Sequence, residues 1–472
     1  MAREDYVMKS AKNLAERSVL EYFTCEPREP RRRPVIAAFE GTVHPAFREY
    51  PSRLFVETTT RCNLRCAMCV KQAGDSGVVD GDLSPETFRA LEAALPNVEV
   101  LILNGIGEPL LNPHLEDFVR TAKGLMPAES WVGFQTNGLL LDEARALSLA
   151  RAGLDRICLS MDSVCPDTLR KIREGCEVWD LERALSALRK AREISGSSLR
   201  VGLEFVLMRE NARELPDAIR WASARGVDFA IVTHLLPYDA SHVGKVAYDG
   251  NTDEAVAFFR PWKERAAREG IDLRHYFKTM WNYLRTPEEQ RIVDFVAEMQ
   301  AEASARELFI NMRNLLDRDE AWIGEMERIF AEAGDAAARA GIELTLPEVT
   351  PRGDRRCDFV DRGGAFISWD GGVHNCYFLW HSFSCHFSGR KKYVNARVFG
   401  SLKDKGIREI WNDPAFRSFR EEVLRHEYPF CSNCNLVPCE YIYAEEFEQD
   451  CFTNGVPCGD CFWCMGLFNC LS

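Results

Sequence analysis

Three cysteines, Cys62, Cys66 and Cys69, stand in a C-x3-C-x2-C spacing directly after a strand-like run over residues 54–58. Spacing that tight confines three thiols to one loop. Three thiolates on one loop can hold three irons of a [4Fe–4S] cluster and leave the fourth iron open, whereas a cluster that only carries electrons is normally closed by four cysteines. Zinc usually takes four ligands, often from two C-x2-C knuckles. The next cysteine along the chain is Cys158. A disulfide framework fails on the odd count and on geometry.

The surrounding sequence alternates strand and helix. Strand-like runs cover 54–58, 99–103, 131–136, 156–160, 200–207 and 228–234. One helix starts at Ser84-Pro85-Glu86: Ser84 can cap, Pro85 suits the first helical position and Glu86 the positive helix end. Others cover 142–152, 181–194 and 212–224, with apolar residues at helical spacing. Six βα units predict a parallel α/β sheet with right-handed crossovers. A partial barrel and an open doubly wound sheet both satisfy that pattern. In either, chemistry collects at the carboxyl ends of the strands, where the three-cysteine loop falls.

A chain of 472 residues exceeds one ordinary core. Residues 1–50 read as a helix and a Pro/Arg-rich connector, with Arg31–Arg33 a solvated run between Pro30 and Pro34. Residues 51–240 hold the βα units, and 241–350 are helical and highly charged. Within the latter, AAREGIDLRHYF and AARAGIELTLPE read as alternative ends of one helix–strand linker. Residues 272–340 then form an insertion, either a lid or docking surface or a solvated helical pair. Residues 351–472 are cysteine-rich: eleven of the eighteen cysteines lie between Cys357 and Cys470. Cys25, Cys158, Cys165 and Cys176 fall outside both clusters and read as buried or tolerated thiols. The chain lacks an 18-residue apolar run, and its N-terminus lacks the apolar core of a secretory signal, so a cytoplasmic protein without a membrane span is expected. There structural disulfides are rare, and so many thiols point to metal. A net charge of −13 argues against a nucleic-acid-binding surface.

Further segments mark the strand ends. Asn104-Gly105-Ile106-Gly107-Glu108-Pro109 follows the second strand, Gln135-Thr136-Asn137-Gly138 ends the third, and Ser160-Met161-Asp162-Ser163 ends the fourth. Glu204 lies in the fifth strand, His234 ends the sixth, and Arg173 follows the fourth within Lys-Ile-Arg-Glu-Gly. With the cysteine loop, these segments resemble the radical S-adenosylmethionine (radical SAM) enzymes. The resemblance favours a partial (β/α)6 TIM-type barrel. It implies that Cys62, Cys66 and Cys69 ligate a [4Fe–4S] cluster that binds SAM. Gly105, Gly107, Glu108 and Pro109 match the family's Gly-Gly-Glu-Pro segment at the methionine amino group, with Ile106 at the usual first glycine. Asn137 matches its Thr-Asn-Gly turn, and Ser160 and Asp162 its Ser-x-Asp at ribose or the SAM carboxylate. Arg173 is a candidate partner for that carboxylate or a surface ion pair. Glu204 is a candidate for the ribose hydroxyls or a structural carboxylate. His234 either lines the site or is a core histidine. Met68 stands near adenine where the family usually has an aromatic residue. The chemistry implied is reductive cleavage of SAM to a 5′-deoxyadenosyl radical that abstracts hydrogen from substrate, with a flavodoxin- or ferredoxin-type electron donor.

The second cysteine group opens with Cys357, thirteen residues, Gly371, four residues and Cys376. A hairpin is expected where residues 366–369 meet Asp370-Gly371-Gly372. Cys431-x2-Cys434-x4-Cys439 follows, and Tyr443 stands four positions later. These spacings resemble a SPASM auxiliary-cluster domain, which usually has one more residue before its third cysteine and a further cysteine at the position of Tyr443. The resemblance implies two auxiliary [4Fe–4S] clusters. One expected set is Cys357, Cys376 and Cys451; the other is Cys431, Cys434, Cys439 and Cys461. Cys458, Cys461, Cys464 and Cys470 are alternatives to Cys451. Cys385, between His381 and His386, is a ligand or a free thiol. Cys431-x2-Cys434 and Cys461-x2-Cys464 also suit zinc knuckles. The tail DCFTNGVPCGDCFWCMGLFNC resembles a maturase subgroup that serves metalloenzymes, including tungsten-cofactor oxidoreductases. The leading expectation is therefore a radical SAM/SPASM oxidoreductase that modifies a peptide or protein. A small-molecule enzyme, acting for example on a tetrapyrrole, comes second. A non-catalytic iron–sulfur or zinc scaffold comes third.

Overall fold

The computed structural model describes residues 43–74, 76–434, 439 and 444–472. The expected N-terminal helix, the Arg31–Arg33 connector, Cys25 and Tyr443 lie outside the described residues. Six strands form the centre: β1 (Arg53–Val56), β2 (Val100–Ile102), β3 (Trp131–Thr136), β4 (Arg156–Ser160), β5 (Arg200–Leu207) and β6 (Phe229–His234). They pair in parallel and in chain order. The architecture is α/β, a partial barrel of six parallel strands. β3, β4 and β5 span the expected residues. β1 stops earlier because Thr58 leaves the ladder, its carbonyl accepting from the Leu83 amide at 2.9 Å and from Asn112 Nδ2 at 2.8 Å.

Local chemistry sets the crossover helices. Ser84 caps α1 (Pro85–Arg89) by accepting from the Thr87 amide at 3.1 Å. Asp142 caps α3 (Glu143–Ala152), which follows α2 (Leu115–Leu125) and ends at Gly153 with φ of +93°. A left-handed residue there costs glycine least. After α4 (Pro166–Ile172) come α5 (Val178–Ser195) and α6 (Leu215–Ser223), and their apolar faces cover the outside of the sheet.

The sheet does not end with the barrel. β7 (Glu343–Thr345) pairs in parallel with β6, and β8 (Gly364–Ile367) pairs in parallel with β1. β9 (Gly372–His374) turns back antiparallel on β8 through Gly371, whose φ is +91°, giving the expected hairpin. β10 (Phe383–Phe387) and β11 (Arg390–Val394) form a separate hairpin, and β12 (Gly400–Ser401) returns to β9. The result is one open ten-stranded sheet. The cysteine-rich region is thus hydrogen-bonded into the barrel's own edge.

The helical region differs from the expected insertion over 272–340. α7 (Asp253–Glu269), α8 (Pro287–Ala305) and α9 (Met312–Leu316) share an apolar core of their own, built on Phe258, Trp262, Phe295 and Met299. α10 (Glu320–Ala340) instead packs into the main core and leads into β7. Only the second of the two similar phrases becomes a helix–strand link. Gly341 ends α10 with Leu344 pairing beside Ala230, whereas after Gly270 the chain runs into the α7–α9 core.

One buried side chain fixes the turn after β5. Asn211, fully buried, donates to the carbonyls of Asp162 (2.8 Å) and Val206 (2.9 Å) and accepts from the Met208 amide (2.8 Å). Asn211→Ala leaves these buried backbone groups unpaired and is expected to lower unfolding free energy by about 2–4 kcal/mol. Equilibrium denaturation checks this; a variant within about 0.5 kcal/mol of the parent would show that the clamp is dispensable.

Candidate active site

The three-cysteine loop lies across the carboxyl end of the barrel. Cys62 is exposed, and Cys66 and Cys69 are half-buried. Residues Arg65–Cys66 form a two-residue antiparallel ladder with Arg173–Glu174. The Ala67 amide donates to the Ile172 carbonyl at 2.9 Å, and Lys71 Nζ to the Thr60 carbonyl at 2.6 Å. The side chain of Arg173 completes the anchor. Its Nε donates to Asp162 Oδ2 at 2.6 Å, and its Nη1 approaches Cys66 Sγ at 3.9 Å. Asp162 is fully buried, and its other oxygen accepts from the Val206 amide at 2.8 Å. Arg173 therefore joins the loop to the inside of the barrel, and the reading of it as a surface ion pair does not hold.

Burial raises the pKa of the half-buried Cys66 and Cys69 thiols, Cys69 to about 11, while the Arg173 cation pulls the other way. Metal binding requires thiolates. Three thiols on one loop, with a fixed cation beside them, suit a cluster that carries negative charge. Among the described residues, no three His, Cys, Asp or Glu converge as ligands of a single metal ion.

The segment after β2 is pressed against this loop. The Gly107 amide donates to the Thr59 carbonyl at 3.1 Å, and the Glu108 amide to the Arg61 carbonyl at 2.7 Å. A Cβ on Gly107 would stand 2.4 Å from each of those two carbonyl oxygens; one on Gly105 would stand 2.3 Å from Glu57 Cγ. Both glycines are therefore required by backbone and side-chain approach. Glu108 accepts from Leu110 N (3.1 Å), Asn137 N (2.8 Å) and Thr136 Oγ1 (2.6 Å). Burial lifts its carboxyl above the usual range. Its oxygens are thus engaged by the protein, and it braces the β2 and β3 ends against each other. Pro109 opens the short turn that follows. Asn137 Nδ2 reaches Asn63 Oδ1 at 2.7 Å, tying the β3 end to the cysteine loop. Met68 packs against Ile172, Met208, Leu235 and Val206.

Deeper in the barrel is a polar layer. Asn104 Nδ2 donates to Gln135 Oε1 at 2.8 Å. Gln135 and Ser160 hydrogen-bond Glu204, and desolvation, with Asp162 adding to it and Arg173 opposing, lifts the Glu204 carboxyl to about 7. His234 faces the other way. Its Nε2 lies 2.9 Å from the Glu348 carbonyl, its ring packs on Tyr248, and burial lowers its pKa to about 4, so it is a core histidine. Sequence reasoning missed Glu57 and His381. Glu57, fully buried just past β1, meets His381 Nε2 at 3.0 and 3.1 Å and accepts from the Ile106 amide at 3.2 Å. Its place at the carboxyl end of a strand, in alternation with Phe55, was the available signal. His381 gave none, because its partner is 324 residues away.

The cysteine-rich region groups its thiols differently from the expected sets. Cys464 hydrogen-bonds Cys357 and Cys461; Cys376 faces Cys357 and Cys461; Cys458 faces Cys461, Cys376 and Cys357. Cys461 thus stands near Cys357 and Cys376. The cause is backbone strapping: the Arg352 and Arg356 amides donate to the Met465 and Cys464 carbonyls at 3.0 and 3.3 Å, which sets Cys464 beside Cys357. Cys431 faces Asp460 and Cys434 instead. Cys439 is half-buried. Cys451 lies in the wall of a cavity of about 1500 Å³ between α7, residues 304–309 and the cysteine-rich region. Cys470 turns toward Glu204, Asp358 and Arg53. Cys385 is buried on β10, and its thiol is pushed up to about 12.

The comparisons agree with this geometry. A family model described as the radical SAM superfamily matches residues 56–222, and one described as SPASM, an iron–sulfur cluster-binding domain, matches 357–435. Together they span more than half the chain. The tungsten-containing aldehyde ferredoxin oxidoreductase cofactor-modifying protein of Pyrococcus furiosus is 28% identical over 426 residues, 88% of this chain and 96% of that protein. GTP 3′,8-cyclase of Streptomyces coelicolor is 32% identical over 194 residues, but that covers only 40% of this chain and 54% of the cyclase. The crystal structure of Streptococcus suis SuiB bound to S-adenosylmethionine aligns with a TM-score of 0.44 and 13% identity, over 79% of this chain and 68% of that one. The chain belongs to the radical SAM superfamily and carries a SPASM domain. It is an enzyme of that class, whose cofactors are SAM, a [4Fe–4S] cluster and auxiliary iron–sulfur.

Two outcomes follow for the site. Arg173→Met strands a buried carboxylate and is expected to cost about 3–5 kcal/mol of stability, measured by denaturation. The Glu204 carboxyl is raised to about 7 in the folded protein from its ordinary 4.5, so its stabilising effect is complete below about 4.5 and is lost as pH rises to about 7. Stability of Glu204→Gln relative to the parent should therefore rise across that window; a flat difference would show that Glu204 is not held protonated.

Proposed function

We propose that Cys62, Cys66 and Cys69 hold the SAM-binding cluster and that the enzyme modifies a peptide or protein partner, as a maturase does. The observation that carries the first part is the anchoring of the cysteine loop at the carboxyl end of the parallel strands, with Arg173 beside Cys66. When bound, the cluster and SAM supply one-electron cleavage of the sulfonium, and the adenosyl fragment takes a hydrogen atom from substrate. The chain's own residues do the rest. Gly105 and Gly107 admit backbone at close range. Glu108 and Asn137 fix the two strand ends that flank the loop. Asp162 and Arg173 keep a carboxylate and a guanidinium paired beneath it, and Ser160 and Glu204 offer polar groups further in.

The maturase part rests on the relative from Pyrococcus furiosus. That relative is named as a cofactor-modifying protein for another enzyme, and it matches 88% of this chain, barrel and cysteine region together. The cyclase likeness covers too little of the chain to favour a small molecule equally. Two auxiliary clusters, a flavodoxin- or ferredoxin-type donor and a cytoplasmic setting complete the reading. Among the described residues, no helix is long and apolar enough to cross a membrane.

The test is anaerobic incubation with reductant and SAM, with and without candidate peptides or apo-metalloenzymes. The expected result is 5′-deoxyadenosine formation that a partner accelerates and that the Cys62→Ala/Cys66→Ala/Cys69→Ala variant abolishes. Unchanged nucleoside release in that variant would remove the assignment of the loop. Acceleration by GTP or a tetrapyrrole alone would replace the macromolecular substrate.

A further inference from the structure

The SPASM match stops at residue 435, yet three more cysteines, Cys458, Cys461 and Cys464, are buried in the same region in a C-x2-C-x2-C spacing. We propose that this tail loop completes the auxiliary site begun by Cys357 and Cys376, so that one [4Fe–4S] cluster takes Cys461 and Cys464 as its other two thiolates. The proposal deepens the auxiliary-cluster reading and rests on it.

Convergence is the first argument. Cys464 contacts both Cys357 and Cys461, and Cys376 faces the same pair. Cys451 lines the 1500 Å³ cavity, and the Cys470 thiol is hydrogen-bonded with Trp463. Position 443, where the resemblance would put a fourth cysteine after Cys439, is a tyrosine. A set short by one thiolate on that side needs a donor from somewhere else in the chain.

The second argument is that the tail is held in place. Its backbone is strapped to residues 348–356 by three bonds: Glu348 N to the Gly466 carbonyl (2.8 Å), Arg352 N to Met465 (3.0 Å) and Arg356 N to Cys464 (3.3 Å). Arg355, 5% exposed, clamps it from the other side. Its guanidinium donates to the carbonyls of Tyr428 (2.5 Å), Pro429 (3.1 Å) and Gly459, and lies 3.7 Å from the centre of the Phe430 ring. Gly459 sits between Cys458 and Cys461, and Phe430 precedes Cys431. Asp460 joins the same brace, accepting from Arg390 Nη2 at 2.7 Å and from the Ser432 amide at 3.1 Å. The two cysteine loops are thus fixed relative to each other. A cluster closed by four thiolates is anionic, and a buried anion needs paired charge nearby. The buried Arg355 guanidinium, close to Cys464, Cys431 and Cys458, supplies it.

Cys458, on the same turn, is a fifth thiol, so single substitutions could be rescued and a double one is required. The anaerobically reconstituted full chain should hold about twelve irons, as three four-iron clusters. Cys461→Ser/Cys464→Ser should fall to about eight and keep the SAM-responsive signal of the barrel cluster. Cys451→Ser should stay at about twelve. If the double variant keeps its full iron, the tail assignment is overturned while the auxiliary reading stands. If the parent itself holds only about four irons, both fall. Should the double variant not fold, Cys458→Ser/Cys464→Ser, which also removes the spare thiol, decides by redox titration. A serine ligand lowers the reduction potential of one auxiliary cluster and alters its electron paramagnetic resonance (EPR) signal; parental values for every cluster would overturn the proposal.

Discussion

Arg173 is almost closed off from water and divides its guanidinium between Asp162 and the sulfur of Cys66. Its own backbone pairs with Cys66 in the short ladder, so one residue positions the cysteine loop twice. Asp162 in turn holds the Val206 amide, and Asn211 holds the Asp162 and Val206 carbonyls. The loop that carries the three thiols is therefore not a free excursion. It is pinned through a buried ion pair to the ends of β4 and β5. Breaking one partner of such a pair costs more than the pair contributes, because a charge is left buried alone.

The same economy of anchoring appears at the opposite edge of the barrel. β8 adds to β1 in parallel, and the hairpin that follows carries the chain to Cys376 and then to His381, which closes on Glu57. Glu57 also touches the glycine segment through the Ile106 amide. The cysteine-rich region is thus joined to the barrel mouth through one strand and one side-chain hydrogen bond. That continuity fits an enzyme whose auxiliary iron–sulfur has to stand at a fixed place relative to SAM.

Much of this was legible in the residues. The strand–helix alternation marked β3, β4 and β5, and Ser84 and Gly371 marked a cap and a turn by their own chemistry. The three cysteines and the segments after each strand declared the site, because strand ends converge in a parallel sheet wherever they lie in sequence. What stayed hidden depended on long-range approach. Glu108 looks like a ligand-facing carboxylate, yet its oxygens are taken by Thr136 and two amides. Spacing says which thiols share a loop, not which loops meet. Cys464 comes beside Cys357 through the strap along residues 348–356. α10 looked like part of an insertion until its apolar face was seen on α6.

The account turns on an iron that the three-thiol loop does not satisfy, so that SAM can occupy it. EPR of the reduced, anaerobic protein tests this directly. Addition of SAM should change the signal of one cluster, and the change should vanish in the Cys62→Ala/Cys66→Ala/Cys69→Ala variant while the auxiliary signals persist. A spectrum indifferent to SAM in a protein with its full iron would contradict the account.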